Sequence, residues 1–306
     1  MVRNSNPEKL LEAIRAGIGT RTGDAYRPWI TVRKQNTSST SNQSIARMPG
    51  LKRHCHFLSR GEKDLAHTLW WLGAADVREQ LPLFPWPHIH PASYVEGTRD
   101  WGDHPGMQAV AEEAGIRLSV YPRIRIPVVL SLDLLATLQW PDGSFRGLVG
   151  FSCKSRSQVK DQGQAPRLYE RLELDRRYCI AGRFPHTLAY PENLPGRLPR
   201  ELEAIAPLAT AREISATRND RRYKAFIEEL QSTAYTMPAC LAANEAGSKV
   251  GWRHDESGRA LKLAMWSLDV DNDPTRRTNL AAPLKRGGRR VRAELRKLLL
   301  GVTDEY

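Results

Sequence analysis

The stretch that most limits what this chain can become is SLDLLATLQWPDGSFRGLVGFSCKS, Ser131 to Ser155. Two apolar runs flank Asp142-Gly143, a pair that favours a tight hairpin because both turn positions want positive φ. The stretch predicts two antiparallel strands joined by a two-residue loop, with Pro141 paired to Ser144. Pro141 has no N–H to give to a ladder, so a longer loop stays open. Counting outward from that pair sets Asp133 opposite Ser152. Side chains alternate faces along a strand, so Ser152, Lys154 and Asp133 share one face. Asp133 then lies diagonal to Lys154, about 7–8 Å away between Cα atoms. Charges go to the interior when they are paired or used; this pair reads either as an ion pair or as working groups.

A second carboxylate lies upstream in HFLSRGEKDLAHTLWWLG. Ser59 and Glu62 have the S-x-x-E spacing of a capping box at a helix start. Glu62 is also in line with Leu65, Ala66 and Leu69, on the apolar stripe of the same helix. It reads both as a cap and as a carboxylate aimed at the sheet that carries Asp133. Two carboxylates and a lysine on a hairpin-plus-helix platform suit metal-dependent phosphodiester hydrolysis. Carboxylates hold Mg²⁺, which keeps several waters. The metal lowers the pKa of a bound water, and a lysine orients that water or offsets developing negative charge.

The rest of the chain gives this platform room and a partner. With 306 residues there is length for two domains. The net charge of +12 attracts polyanions, nucleic acid first among them. The longest apolar run, around Ile126 to Leu138, is broken by Asp133 and too short to span a bilayer. The start MVRNSNPEKL lacks the apolar core of a signal peptide. Cys55, Cys153, Cys179 and Cys240 are scattered, which fits reduced thiols in a cytoplasmic protein.

Asn6 to Gly17 predicts a short amphipathic helix stopped by glycine, and Gln35 to Ser44 a mobile polar loop. Helix and strand signals alternate from His54 to Tyr190. Four prolines from Pro191 to Pro207 predict a loosening, with a domain break near Ala209. Beyond it, a helix capped by Asn219 or Asp220 carries the stripe Tyr223, Phe226, Ile227, Leu230. His54, Cys55 and His56, and likewise His88 and His90, invite a zinc reading, but no second ligand cluster has finger spacing. Trp70 and Trp71, in an apolar helix, read as core.

Six blocks in order resemble the TnsA family, the endonuclease subunits of heteromeric bacterial transposases. They are DAYRPWITV, HFLSRGE, DVREQLPLFP, SLDLLA, GFSCKS and RLELDRRYC, between Asn6 and Tyr190. The family pattern there is aromatic-x-P-W-hydrophobic-T-V, L-L-S-x-x-E, hydrophobic-R-E-Q-hydrophobic-P-L, a strand ending T-D-F, a strand with Q-V-K, and L-E-x-E-R-R-Y-W. The resemblance implies a restriction-endonuclease-like nuclease domain over residues 1–209, with a mixed sheet and flanking helices. A smaller helical, winged-helix-like domain over residues 210–306 would bind DNA and partners. By match, Glu62, Asp133 and Lys154 fall on the family's catalytic acid, acid and lysine. Mg²⁺, with Mn²⁺ as substitute, would be held by Glu62, Asp133 and the main-chain carbonyl of Cys153. Where the family has a glutamine lining the site this chain has Ser152, too short to span the same gap. Leu132 stands where the family has threonine. Asp175 stands where the family has glutamate, on a stripe with Leu168, Leu172 and Cys179. It reads either as support for the site or as a surface partner of Arg171 or Arg176.

Arg176 and Arg177 read as DNA-phosphate contacts or as a solvated face. Past Ala209, helices are expected at Arg222 to Tyr235, Met237 to Ala246 and Ala260 to Leu268, with DVDNDPTRRTN as a wing or its turn. The tail LKRGGRRVRAELRKLLLGV places Val291, Leu295, Leu298 and Leu299 on one apolar stripe among cations that include Arg289 and Arg290. Such a helix binds DNA, a protein groove or an anionic membrane, or packs on its own domain; its short apolar face favours protein or DNA over membrane. The resemblance implies cleavage of the 5′ strands at transposon ends, in double-stranded DNA, beside a DDE transposase subunit and an AAA+ ATPase regulator. The alternative is a TnsA-like adaptor with weak or lost catalysis; a stand-alone nuclease would lack a target-reading domain.

Overall fold

The computed structural model describes residues 7–32, 42–122, 125–160 and 165–302. The chain divides into two compact units. The first holds residues 1–46, 54–69 and 73–193, and the second residues 47–53, 70–72 and 194–306. The chain passes into the second unit for the last time at Leu194.

The first unit opens with α1 (Pro7–Arg15), which ends ahead of Gly17 as predicted. Gln35 to Ser41 of the polar stretch lie outside the described residues, and its last residue, Ser44, opens strand β1 (Ser44–Arg47). Strand β2 (His54–Phe57) pairs with β1. Helix α2 (Arg60–Trp71) follows, then β3 (Asp76–Leu83), the short strands β4 (His88–Ile89) and β5 (Asp103–His104), and α3 (Met107–Ala114). The hairpin is β6 (Leu130–Gln139) and β7 (Phe145–Cys153). Helices α4 (Arg156–Lys160) and α5 (Ala165–Ala181) and strand β8 (His186–Ala189) complete the unit.

One sheet positions the site. Its order is β3-β6-β7-β8; β6 is antiparallel to both neighbours, and β8 runs parallel to β7. Leu132, Leu134, Leu135, Leu138, Leu148, Val149 and Phe151 are all buried, as befits central strands covered on both faces. On one side α3 and α5 supply Met107, Val110, Leu174, Tyr178 and Cys179 to a core with Leu132, Leu135 and Leu148. On the other, α2 comes so close that a Cβ at Gly61 would lie 2.3 Å from Pro191 Cγ and 3.3 Å from Cys153 Sγ. A glycine there lets the start of α2, and Glu62 with it, reach the end of β7.

The hairpin departs from the expected turn. Trp140 N donates to Ser144 O and Gly143 N to Trp140 O, so the loop holds Pro141, Asp142 and Gly143, and Gly143 takes the left-handed position (φ 85). This is the three-residue turn closed by a left-handed residue. The extra loop residue is offset by a bulge: Gln139 pairs with Phe145 but Leu138 with Gly147, which leaves Arg146 unpaired. Beyond the bulge the ladder runs to Leu134 opposite Phe151, and one step further sets Asp133 opposite Ser152, the expected register.

The second unit is helical from Leu194 onward among the described residues: α6 (Leu198–Ile205), α7 (Ala211–Asn219), α8 (Arg221–Thr233), α9 (Ala239–Lys249), α10 (His254–Ser267) and α11 (Gly288–Leu295). The proline-rich stretch contains α6 where loosening was expected; Pro199 sits in its first turn, where a missing N–H costs nothing, and Leu198, Leu202 and Ile205 are buried. Asp220 caps α8, which buries Tyr223, Phe226 and Leu230. The segment Asp269 to Asn279 forms no strand. After Leu295 the helix widens over Arg296–Leu300 to an i→i+5 turn. The tail stripe is therefore Val291, Leu295 and Leu300; Leu298, expected on it, is 70% exposed.

Candidate active site

Glu62 stands at the start of α2, where both readings of it are realised. Ser59 caps the helix: Glu62 N donates to Ser59 Oγ at 3.1 Å, and Ser59 Oγ donates back to Glu62 Oε1 at 3.1 Å. Leu58 N and Gln80 Nε2 donate to Glu62 Oε2 at 2.9 and 3.1 Å. The carboxylate is almost fully buried. Burial, and then the charge of Asp133, raise its pKa to about 7, against the donors that favour the ionised form.

Asp133 and Lys154 meet as the hairpin register requires. Lys154 Nζ donates to Asp133 Oδ2 at 2.6 Å and to Cys153 O at 3.1 Å, and Cys153 N donates to the same Asp133 oxygen at 2.7 Å. Burial opposes the lysine charge, but Asp133, Asp175 and Glu62 outweigh it and hold its pKa above the ordinary value. The Cys153 thiol is buried, and burial and the two nearby carboxylates keep it protonated. Glu62, Asp133 and Lys154 thus act on one another electrostatically at the same end of the sheet.

Asp175 lies beneath, on α5. It is buried and accepts from Arg171 Nε and from Ser152 Oγ, each at 2.9 Å. Burial raises its pKa and the Arg171 charge opposes the rise. Asp175 pairs with Arg171, as the ion-pair reading had it, but in the interior and not at the surface; Arg176 takes no part. Ser152 is fully buried, and its hydroxyl also lies 2.9 Å from His186 Nε2. Since the hydroxyl donates to Asp175, one of its lone pairs takes the imidazole N–H, and its single donor is spent within the protein. Burial lowers the His186 pKa to about 4, so the ring is neutral.

Each of the four arginines read as DNA contacts has a local partner. Arg176 and Arg177 both bind Glu173, at 2.7 Å. On α11, Arg289 NH2 donates to Leu268 O at 3.2 Å, and Arg290 lies 3.8 Å from Glu294. Of the histidines read for zinc, His88 is engaged with Trp86 O and Tyr178 OH, His90 with Gly182 O and Ala92 N, and His56 Nδ1 accepts from Val32 N. Trp71 is buried, as expected of core.

Sequence reasoning missed Gln80 and His186. Gln80 carried a signal: it ends the polar run D-V-R-E-Q inside a strand whose every residue is buried. His186 carried none, being a lone histidine in FPHTLAY.

One comparison bears on this arrangement. The chain is 29% identical over 179 residues to the Escherichia coli protein "Transposon Tn7 transposition protein TnsA". The match covers 58% of this chain and 54% of that protein, so the chain spans about half the length of its relative. No protein-family model matches the chain. The chain is a distant relative of TnsA. Among the described residues no helix is long and apolar enough to cross a membrane.

Proposed function

We propose that this chain is a metal-dependent DNA endonuclease subunit of a heteromeric transposase, cleaving the 5′ strands at transposon ends. The observation that carries the reading is the 2.6 Å contact of Lys154 with Asp133 beside the buried carboxylate of Glu62. The distant likeness to TnsA supports the same role.

The donor set suits Mg²⁺ or Mn²⁺: two carboxylates and the main-chain oxygen of Cys153 are hard oxygen ligands, and Mg²⁺ takes few protein ligands and keeps its waters. Burial first, and then the charge of Asp133, raise the Glu62 pKa, and a bound cation would oppose both. When bound, the metal supplies an activated water and stabilises charge on phosphate. Lys154, held on Asp133, orients the water or neutralises charge as the bond breaks. Asp175, Arg171 and Ser152 hold β7 from below. The proposed partners are double-stranded DNA, a DDE transposase subunit and an AAA+ ATPase regulator, and the proposed compartment is the cytoplasm. Residues 1–209 would hold the chemistry and residues 210–306 the assembly contacts, with Arg176, Arg177, Arg289 and Arg290 releasing their local partners to phosphate.

A second reading, an adaptor with weak or lost catalysis, is favoured by one observation: among the described residues no three His, Cys, Asp or Glu side chains come together to hold a metal. One experiment separates the two. With its transposase partner and labelled end DNA in Mg²⁺, the wild type is expected to cut. Glu62→Gln, Asp133→Ala and Lys154→Ala are expected to lose about a hundredfold or more in rate while still binding DNA. Cutting by Lys154→Ala at the wild-type rate would remove the lysine from the chemistry, and equal, background-level cutting by all four proteins would leave the adaptor.

A further inference from the structure

Gln80 is the one residue of β3 that breaks its own strand. Glu79 pairs with Leu134 and Leu81 with Leu132, but Gln80, between them and level with Asp133, takes a left-handed backbone (φ 49). A residue with a side chain seldom adopts that conformation inside a strand, and strain of this kind persists where surrounding contacts hold it. Here they do. Trp29 N donates to Gln80 O at 3.1 Å. Gln80 Oε1 accepts from Ser131 Oγ at 2.9 Å, and Gln80 Nε2 donates to Glu62 Oε2 at 3.1 Å. The side chain is wholly buried, so no water competes for these groups.

Both ends of the amide matter. Ser131 stands two residues before Asp133 on β6, and its carbonyl accepts from Arg171 NH2 at 2.7 Å. The amide therefore ties the helix that bears one acid to the strand that bears the other. We propose that Gln80 is a positioning residue that sets the Glu62 carboxylate relative to Asp133 and thereby tunes affinity for a divalent cation. This rests on the metal-site reading above. Mg²⁺ tolerates little deviation from octahedral geometry, so loosening one carboxylate weakens its binding.

The test uses the full-length chain. Mg²⁺ and Mn²⁺ binding is measured by calorimetry, and the metal requirement of cleavage is titrated with the partner transposase and end DNA. Gln80→Met keeps the bulk and loses both amide bonds; Gln80→Gly loses them but takes the left-handed φ without strain. Both are expected to bind metal at least tenfold more weakly and to need correspondingly more for cleavage, with saturating metal recovering part of the rate. Ser131→Ala, which cuts only the far anchor, should shift the requirement the same way by less. Gln80→Gly should melt no lower than Gln80→Met, which separates lost positioning from lost folding. Metal binding by the wild type that Glu62→Gln abolishes and the Gln80 variants leave unchanged would overturn this inference alone. A wild type that binds no divalent cation, with Glu62→Gln indistinguishable from it, would overturn the metal site and this inference together.

Discussion

The β6–β7 hairpin and the C-terminal helix each carry one residue more than regular geometry accommodates, and they absorb it differently. In the hairpin the longer loop draws in Pro141 and the bulge sets aside Arg146, so the ladder regains its register before it reaches Asp133. In the tail the wide turn over Arg296–Leu300 has no compensating step; the helix phase shifts, and Leu300 turns inward instead of Leu298. The hairpin lies between β3 and β8 with apolar faces on both sides. A one-residue slip would turn every buried side chain of a strand outward, so correction is enforced. The last turn of a helix has no ladder beyond it to enforce a phase.

The largest effect should come from forcing the slip. An alanine inserted between Leu135 and Ala136 is expected to abolish cooperative melting. The same insertion after Arg296 should move the melting temperature by no more than about 2–4 °C, the scale of 1 kcal/mol in a larger domain. A hairpin insertion that melted like the wild type would show that the register is not enforced as argued.

The second test concerns the carboxylate of Glu62, buried beside the end of the hairpin. The pKa of Glu62 is raised on folding from 4.5 to about 7, so its contribution to stability is present below pH 4.5 and fades as pH rises to about 7. Without divalent cations, the wild type should lose stability relative to Glu62→Gln across that window, by about 3 kcal/mol at most. Denaturant melts at several pH values read this directly; parallel curves for the two proteins would mean that Glu62 titrates normally.

The smallest effect compares two leucines of the tail. Leu300→Ala should cost about 2 kcal/mol or more, and Leu298→Ala under about 0.5 kcal/mol, because only the first leaves a cavity. Equal costs in a denaturant series would mean that the helix keeps its ordinary phase in solution.

Much of the site was legible because it is local or periodic. The Asp142-Gly143 signal and strict alternation set Asp133 opposite Ser152, and two departures from the ideal turn cancelled. The S-x-x-E spacing with the stripe Leu65, Ala66, Leu69 placed Glu62 at a helix start and facing inward. The resemblance to TnsA added the roles, and the expected fold class agrees with the mixed sheet and its helices. The tail stripe was misread because periodicity assumes one helix geometry throughout, and nothing in RKLLL announces a wider turn.

The sequence by itself determined the sheet's central hairpin, the start of α2, and the net positive charge, since each depends on neighbours in the chain or on composition alone. Only the tertiary structure decided which side chains hold the acids in place. Gln80, Ser152 and His186 come from β3, β7 and β8; the bond of Gln80 to Glu62 and those of Ser152 to Asp175 and His186 form only when these strands pack with α2 and α5. It decided also that burial, and then the charge of Asp133, raise the Glu62 pKa to about 7. Burial and long-range charge are properties of the packed chain, and no spacing along the sequence encodes them.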